Sequence, residues 1–260
     1  MLLLHTLASG SEGNCLLVRH GDAALLVDAG ISLRRIKAGL SDLGLTMDHI
    51  QGILLTHSHS DHVCALATLV KHHPTPLYAT AGTAGAVERK LGALPQLHTL
   101  APDARFTIRD FRVQLFPTAH DAPQSVGCRI DAPSGSVGIL TDTGYVTQAA
   151  AEVLTGAELL VLESNHDPET LRSGPYPPYL KERILGRQGH LSNDDAAAFA
   201  VEMARRGTRQ ILLAHLSREN NTPAMALETV RRALRWAELD TAVAVAPRSG
   251  VSPCYRAGTV

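Results

Sequence analysis

Four nitrogen or oxygen donors fall within six positions in the run His57-Ser58-His59-Ser60-Asp61-His62. The apolar stretch Ile53-Leu54-Leu55 leads into it and has the length and branching of a buried strand. No regular helix or strand aims His57, His59, Asp61 and His62 at one point, so the spacing predicts an irregular loop that divides them between two cations. Three more donors follow apolar runs of their own: His120 after residues 113–116, Asp142 after 137–140 and His215 after 211–214. Together they make five imidazoles and two carboxylates without a thiolate, a set that suits Zn, Mn or Fe, with an aspartate able to bridge two ions. Two such cations bring the pKa of a shared water toward neutrality, so the chemistry is hydrolysis by a hydroxide held between them.

Strand-like runs must position these groups. They lie at 16–18, 24–27, 53–55, 113–116, 126–130, 137–140, 159–162, 211–214 and 243–245, and the apolar opening at Met1 reads as a first strand. Asp28 and Glu163 end two of them, and Glu163 leads into Asn165 and His166. Strands sharing one sheet and one direction would bring all these ends to a single rim, where α/β proteins place their sites. Helices are expected from Ser32 to Gly44, from an Asn193 cap to Gly207, and after Thr222-Pro223. Strands in runs with helices interspersed predict a layered α/β sandwich.

The 260 residues contain no linker, repeat or low-complexity tract, so one domain spanning 1–260 is expected. Hydrophobic content of 45% against 19% charged excludes a disordered chain, and no 18-residue apolar run offers a membrane span. The four cysteines form no C-x-x-C pair, and no signal peptide is evident, which points to the cytoplasm. A net charge of −1 and 4% aromatics leave no sequence-wide attraction for a polyanion and few stacking platforms. Arg172, Lys181, Arg183 and Arg187 nevertheless cluster before His190.

The His-x-His-x-Asp-His loop, a later single His, an Asp and a late His resemble the metallo-β-lactamase superfamily. The segments Ala8-Ser9-Gly10-Ser11-Glu12-Gly13-Asn14, Thr141-Asp142-Thr143-Gly144-Tyr145-Val146, Glu163-Ser164-Asn165-His166-Asp167, Gly189-His190-Leu191-Ser192-Asn193 and Ala214-His215-Leu216-Ser217 are similar to its YycJ-like branch. The resemblance implies a four-layer αβ/βα sandwich with a dinuclear site along one edge. It assigns His57, His59 and His120 to one metal, Asp61, His62 and His215 to the other, and Asp142 to both. Asp28 then braces the metal loop by hydrogen bonds.

The same resemblance makes Asp61 the residue that orients the hydroxide, and His190 with Glu163 the pair that assists the leaving alcohol. Asn14, Asn165 and His166 become candidate substrate contacts. The Ser9 to Asn14 loop either aims amides at phosphate or forms a tight turn. A phosphodiesterase or nuclease is implied, a DNA exonuclease among the options, with a phosphodiester as the partner and no membrane. No tRNA-gripping arm is present, and the stretch from Asp142 to His215 is too short for the added domain of β-CASP nucleases. A small phosphodiester therefore stays open as substrate, as do thioesters or lactones and a metal-bound sensor without catalysis.

Overall fold

The computed structural model describes residues 1–258. Its strands run in chain order as β1 (Leu2–Ala8), β2 (Cys15–His20), β3 (Ala23–Val27), β4 (Ile50–Leu54), β5 (Leu77–Thr80), β6 (Leu97–Leu100) and β7 (Arg105–Ile108). There follow β8 (Phe111–Pro117), β9 (Val126–Ala132), β10 (Gly135–Leu140), β11 (Leu159–Glu163), β12 (Gln210–Ala214), β13 (Ala242–Val245) and β14 (Tyr255–Ala257). Among the described residues they form two seven-stranded sheets, ordered β14-β1-β2-β3-β4-β5-β6 and β13-β12-β11-β10-β9-β8-β7. In each sheet half of the strand pairings are antiparallel and half parallel, the parallel parts being β3 to β6 and β10 to β13.

Both faces of each sheet are covered. One cluster of side chains, including Leu4, Val18, Val27, Ile130, Ile139, Val161 and Leu212, fills the space between the sheets. The outer face of the first sheet packs Leu17, Leu26 and Ile53 against Ile36, Leu40, Leu66 and Val87 of α1 (Leu33–Asp42), α3 (Leu66–His72) and α4 (Ala81–Leu91), which flank the one-turn α2 (Ser60–Val63). The second sheet sets Leu140, Leu160 and Leu213 against α5 (Gln148–Leu154), α8 (Asn193–Arg205) and α9 (Pro223–Trp236), while α6 (Pro168–Ser173) and α7 (Pro178–Leu185) lie in the β11 to α8 connection. Burial on two faces explains why β10 to β12 read as continuous apolar runs rather than alternating ones. The result is the αβ/βα sandwich.

The expected helices form, with one difference at a cap. Ser32 accepts from the Arg35 amide and Thr222 from the Met225 amide. At α8 the cap is Ser192, whose Oγ accepts from the Asp195 amide, not Asn193. Asn193 is fully buried and uses its side chain against Ser164 and Asn221. Four short strands, β5, β6, β7 and β14, were not expected from the sequence.

Ile139, fully buried between the sheets, tests this core. Ile139→Ala is expected to lower unfolding stability by about 2–5 kcal/mol, seen as a shifted urea midpoint at unchanged slope.

Candidate metal centre

The rim where the donors meet is shared between the two sheets, so the strand ends converge without the single common sheet considered from the strand pattern. The first sheet contributes Asp28 after β3 and the loop from Thr56 after β4; the second contributes Asp142, Glu163 and His215 at the ends of β10, β11 and β12. His120 joins them because β8 and β10 both run antiparallel to β9, so β8 points the same way as β10. At three of these ends the backbone turns left-handed: Asp28 has φ 64°, Asp142 56° and His215 55°. That conformation is uncommon outside glycine but enriched for Asp and His, and here it ends each strand abruptly beside the donor side chain.

The donors form three overlapping groups. Nδ1 of His59 lies 3.1 Å from Nε2 of His57 and 3.2 Å from Nε2 of His120. Oδ2 of Asp61 lies 3.4 Å from Nε2 of His62 and 3.6 Å from Nε2 of His215. Between them stands Asp142, with Oδ2 3.4 Å from Nε2 of His62 and Oδ1 3.5 Å from Nε2 of His215 and 3.9 Å from Nε2 of His120. The structure thus brings all seven sequence-expected donors together.

Hydrogen bonds on the far side of each ring decide which nitrogen faces inward. His62 donates from Nδ1 to Oδ2 of Asp28 at 2.7 Å, and His120 from Nδ1 to the Gly189 carbonyl at 3.1 Å. His215 donates from Nδ1 to Oε1 of Glu163 at 2.9 Å. Thr56 donates its hydroxyl to Asp28, which leaves the Thr56 oxygen to accept from Nδ1 of His57 at 3.1 Å. Four rings are therefore held with Nε2 toward the centre, the tautomer a metal ligand needs. Asp28, 1% exposed, also accepts from the Thr56 amide and so orients two of them.

The electrostatics match a site for cations. Burial, with the charge of His62, holds His57 well below its ordinary pKa, so its lone pair is free. Burial alone would lower His62, but Asp142 and Asp28 outweigh it and raise it to about 10. Against the same burial, Asp142, Asp61 and Glu163 raise His215 well above the usual range. Asp142 itself is held well below it, burial being outweighed by His215, His62 and His57. A surplus of buried carboxylate draws protons onto two rings, and a divalent cation supplies the same positive charge. Buried Oδ2 of Asp142 and Nε2 of His215 have no hydrogen-bond partner, as atoms reserved for a metal would. Nitrogen spacings of 3.1 and 3.2 Å lie close to the edge of about 3.3 Å of a tetrahedron with ligands at about 2.0 Å. The residues present fit divalent metal.

The Ser9 to Asn14 loop closes as a tight turn and sets Ser11 on the wall of the cavity beside the cluster. The Gly10 amide donates to Oδ1 of Asn14, the Gly13 amide to the Gly10 carbonyl, and the Asn14 amide to the Asp61 carbonyl. Asn14, expected to touch substrate, is 5% exposed and does not line the cavity; its Nδ2 lies 3.3 Å from Oδ2 of Asp61 and 3.0 Å from Nε2 of His62, against the same atoms that face the centre. Gly30 completes the clamp: a Cβ there would lie 1.6 Å from the Asp61 carbonyl oxygen.

A cavity of about 490 Å³ opens onto the cluster, lined by His59, Asp61, Asp142, His190 and His215. Tyr176, Leu180, Arg183 and Ile184, in and before α7, form one wall, and Lys90, Asn165, Ser11, Ser60 and Ser217 complete the lining. His190 donates from Nδ1 to Oε1 of Glu163 at 2.7 Å and keeps a side chain 20% exposed. Glu163 is fully buried, and its Oε2 accepts from the amides of Thr143 and Leu191. Burial would raise its pKa, but the charge and hydrogen bond of His190, with a bond from His215, hold it at about 2. Glu163 therefore reaches the cavity only through the rings it holds. His166, the other expected contact, is 1% exposed and points into the protein with neither ring nitrogen bonded; burial lowers its pKa to about 4, so it is neutral. Asn165 alone of the three faces the cavity.

A family described as beta-lactamase superfamily domain matches residues 24–216. The chain belongs to the metallo-β-lactamase superfamily. It is 38% identical over 230 residues to exodeoxyribonuclease YycJ of Bacillus anthracis, covering 88% of this chain and 87% of the relative. To exodeoxyribonuclease WalJ of Streptococcus pneumoniae it is 37% identical over 241 residues, covering 91% and 90%. The crystal structure of the metallo-β-lactamase fold protein YhfI from Bacillus subtilis superposes with a TM-score of 0.72 at 20% identity, covering 97% of this chain and 99% of that one. The family's fold is the one observed here.

Sequence reasoning missed Asp121. Its Oδ1 lies 3.4 Å from Nε2 of His120 and 3.7 Å from Nε2 of His59, while Oδ2 accepts from Nε of Arg183 at 2.6 Å. Its position next to His120 was the available signal. The basic cluster divides in two: Lys181 donates to the Arg172 carbonyl, while Arg183 and Arg187 line one groove beside the site, the Arg187 guanidinium lying over the Tyr145 ring.

Because Asp28 fixes His62 directly and His57 through Thr56, Asp28→Ala is expected to weaken metal affinity about 10–100-fold. Competition against a chelating dye measures this, and a change below about threefold would remove Asp28 from that role.

Proposed function

We propose that the protein is a divalent-metal-dependent phosphodiesterase that degrades DNA from an end. The observation that carries this reading is the placement of His190. Its Nδ1 is held by Glu163, and its ring lines the same cavity as Asp61, Asp142 and His215. The exodeoxyribonuclease relatives, similar over about nine-tenths of the chain, support the DNA assignment. Residues 1–260 act as one hydrolase unit. His57, His59 and His120 hold one metal, Asp61, His62 and His215 a second, and Asp142 both, with Zn or Mn the fitting ions and Fe the next. Free cysteines, two of them exposed, suit the reducing cytoplasm. No helix among the described residues is long and apolar enough to cross a membrane.

Bound divalent cations activate water and neutralise the charge that builds on the phosphate oxygens. The chain's own groups do the rest. Asp61, with one face toward the cavity, accepts a hydrogen bond from the attacking water and aligns it. His190 gives a proton from Nε2 to the departing sugar oxygen, while the carboxylate of Glu163 holds Nδ1–H and stabilises the charged ring before transfer. Lys90, on the cavity wall, offers positive charge to flanking phosphates, while the charge of Arg183 is matched by Asp121.

Metal analysis, followed by assays on single- and double-stranded DNA, RNA and bis-p-nitrophenyl phosphate, tests the reading. Two metals per chain are expected, and Asp61→Ala should abolish turnover. His190→Ala should slow DNA hydrolysis about 10²–10⁴-fold at near-normal metal content. The effect on bis-p-nitrophenyl phosphate should be smaller, because nitrophenolate departs without a proton. Loss of metal in His190→Ala would overturn its assignment as proton donor, and turnover of thioesters or lactones with inert phosphodiesters would overturn the substrate class.

A further inference from the structure

A second groove, about 760 Å³ in volume, runs beside the metal centre. Its lining includes His120, Asp121, Tyr145, Arg183 and Arg187, so it touches the cluster through His120 and shares Arg183 with the cavity over the metals. At its wall the Arg187 guanidinium sits 4.7 Å from the centroid of the Tyr145 ring. Tyr145 is 41% exposed, one of few large side chains with apolar surface presented to solvent. Two carboxylates also line the groove, Glu182 and Asp121, the latter neutralised by Arg183 at 2.6 Å.

The pair is built into the reacting centre. Tyr145 lies three residues after Asp142, and Arg187 three residues before His190, a reach of at most about 10 Å each. The Thr143 hydroxyl donates to the Tyr145 carbonyl, and the Gly144 amide to the Ala119 carbonyl one residue before His120. The turn bearing Arg187 is closed by the Gly189 amide donating to the Gly186 carbonyl. The two segments touch backbone to backbone: a Cβ on Gly144 would lie 2.5 Å from the carbonyl carbon and oxygen of Arg187. A planar ring and a guanidinium are thus fixed a few residues from a metal-site aspartate and from the proton donor.

Resting on the phosphodiesterase reading, we propose that this groove receives the unpaired nucleotide next to the scissile phosphate, its base stacked on Tyr145 and its outer phosphate met by Arg187. Aromatic stacking serves any base and needs one free of its partner strand, so the groove selects single-stranded ends without choosing sequence. It also adds local affinity at the point of cleavage to a chain with no overall positive field.

The test compares wild type with Tyr145→Ala, Tyr145→Phe and Arg187→Ala on a single-stranded oligonucleotide carrying 2-aminopurine beside its terminal phosphodiester. KM is expected to rise about tenfold for Tyr145→Ala and for Arg187→Ala, with kcat within threefold, and Tyr145→Phe should restore it. With metal chelated, so that no turnover occurs, binding should quench the 2-aminopurine in wild type and Tyr145→Phe but not in Tyr145→Ala. Trp236→Ala serves as control: that ring also faces an arginine, Arg232 at 5.7 Å, but lies on α9 outside both cavities. Unchanged KM and quenching in Tyr145→Ala would overturn the inference while leaving the phosphodiesterase reading intact. Wild type inert on every phosphodiester, yet showing the Tyr145-dependent quenching, would overturn that reading and leave the groove.

Discussion

Two buried carboxylates, one from each sheet, hold the centre in register. Asp28 takes the hydrogen bonds of His62 and Thr56, and Thr56 passes the orientation on to His57. Glu163 takes those of His215 and His190. Each ring that gives its Nδ1 proton to these partners must present Nε2 to the space between the sheets. A carboxylate buried this deeply is costly unless its oxygens are satisfied, and both are satisfied by the groups they position. The same contacts that make their burial tolerable set the direction of the ligands.

The backbone around them is correspondingly inflexible. Left-handed turns at Asp28, Asp142 and His215 stop the strands where side chains must converge. Asn14, Gly30 and Asp61 pack main chain on main chain, while Ser9 Oγ accepts from the His215 amide. Behind Glu163, the network of Ser164, Asn193 and Asn221 joins the end of β11 to the start of α8. His190 lies between those elements, so its position is fixed from both sides.

Much of this was legible in the sequence because buried strands announce themselves as apolar runs, and a polar residue at the end of such a run has few places to go. The ten strands expected from apolar pattern and the seven clustered donors follow from that rule. Strands β5, β6, β7 and β14 escaped it, since three or four residues at or near sheet edges carry too little pattern to separate them from loop. Residue type also says nothing about facing. Asn14 and His166 are as polar as Asn165, yet backbone geometry turns only Asn165 to the cavity. The shared rim was hidden for a related reason: a strand's direction can be guessed from the connection before it, but which sheet it joins depends on pairings far along the chain. The α6 to α7 wall has no strong periodicity, and its role became visible only in three dimensions.

Strand β14 lies against β1, with Leu2 opposite Ala257, and the Thr6 amide donates to Oγ of Ser252. Strands far apart along the described chain are thus edge neighbours, β14 capping the side of β1 that β2 leaves free. Until β14 is in place that edge of β1 stays open, and the Ser9 amide waits for its partner, the Arg248 carbonyl. Each donor group takes a member from far along the chain, His120 in one and His215 in the other, so the loop from His57 to His62 is made well before either group is complete.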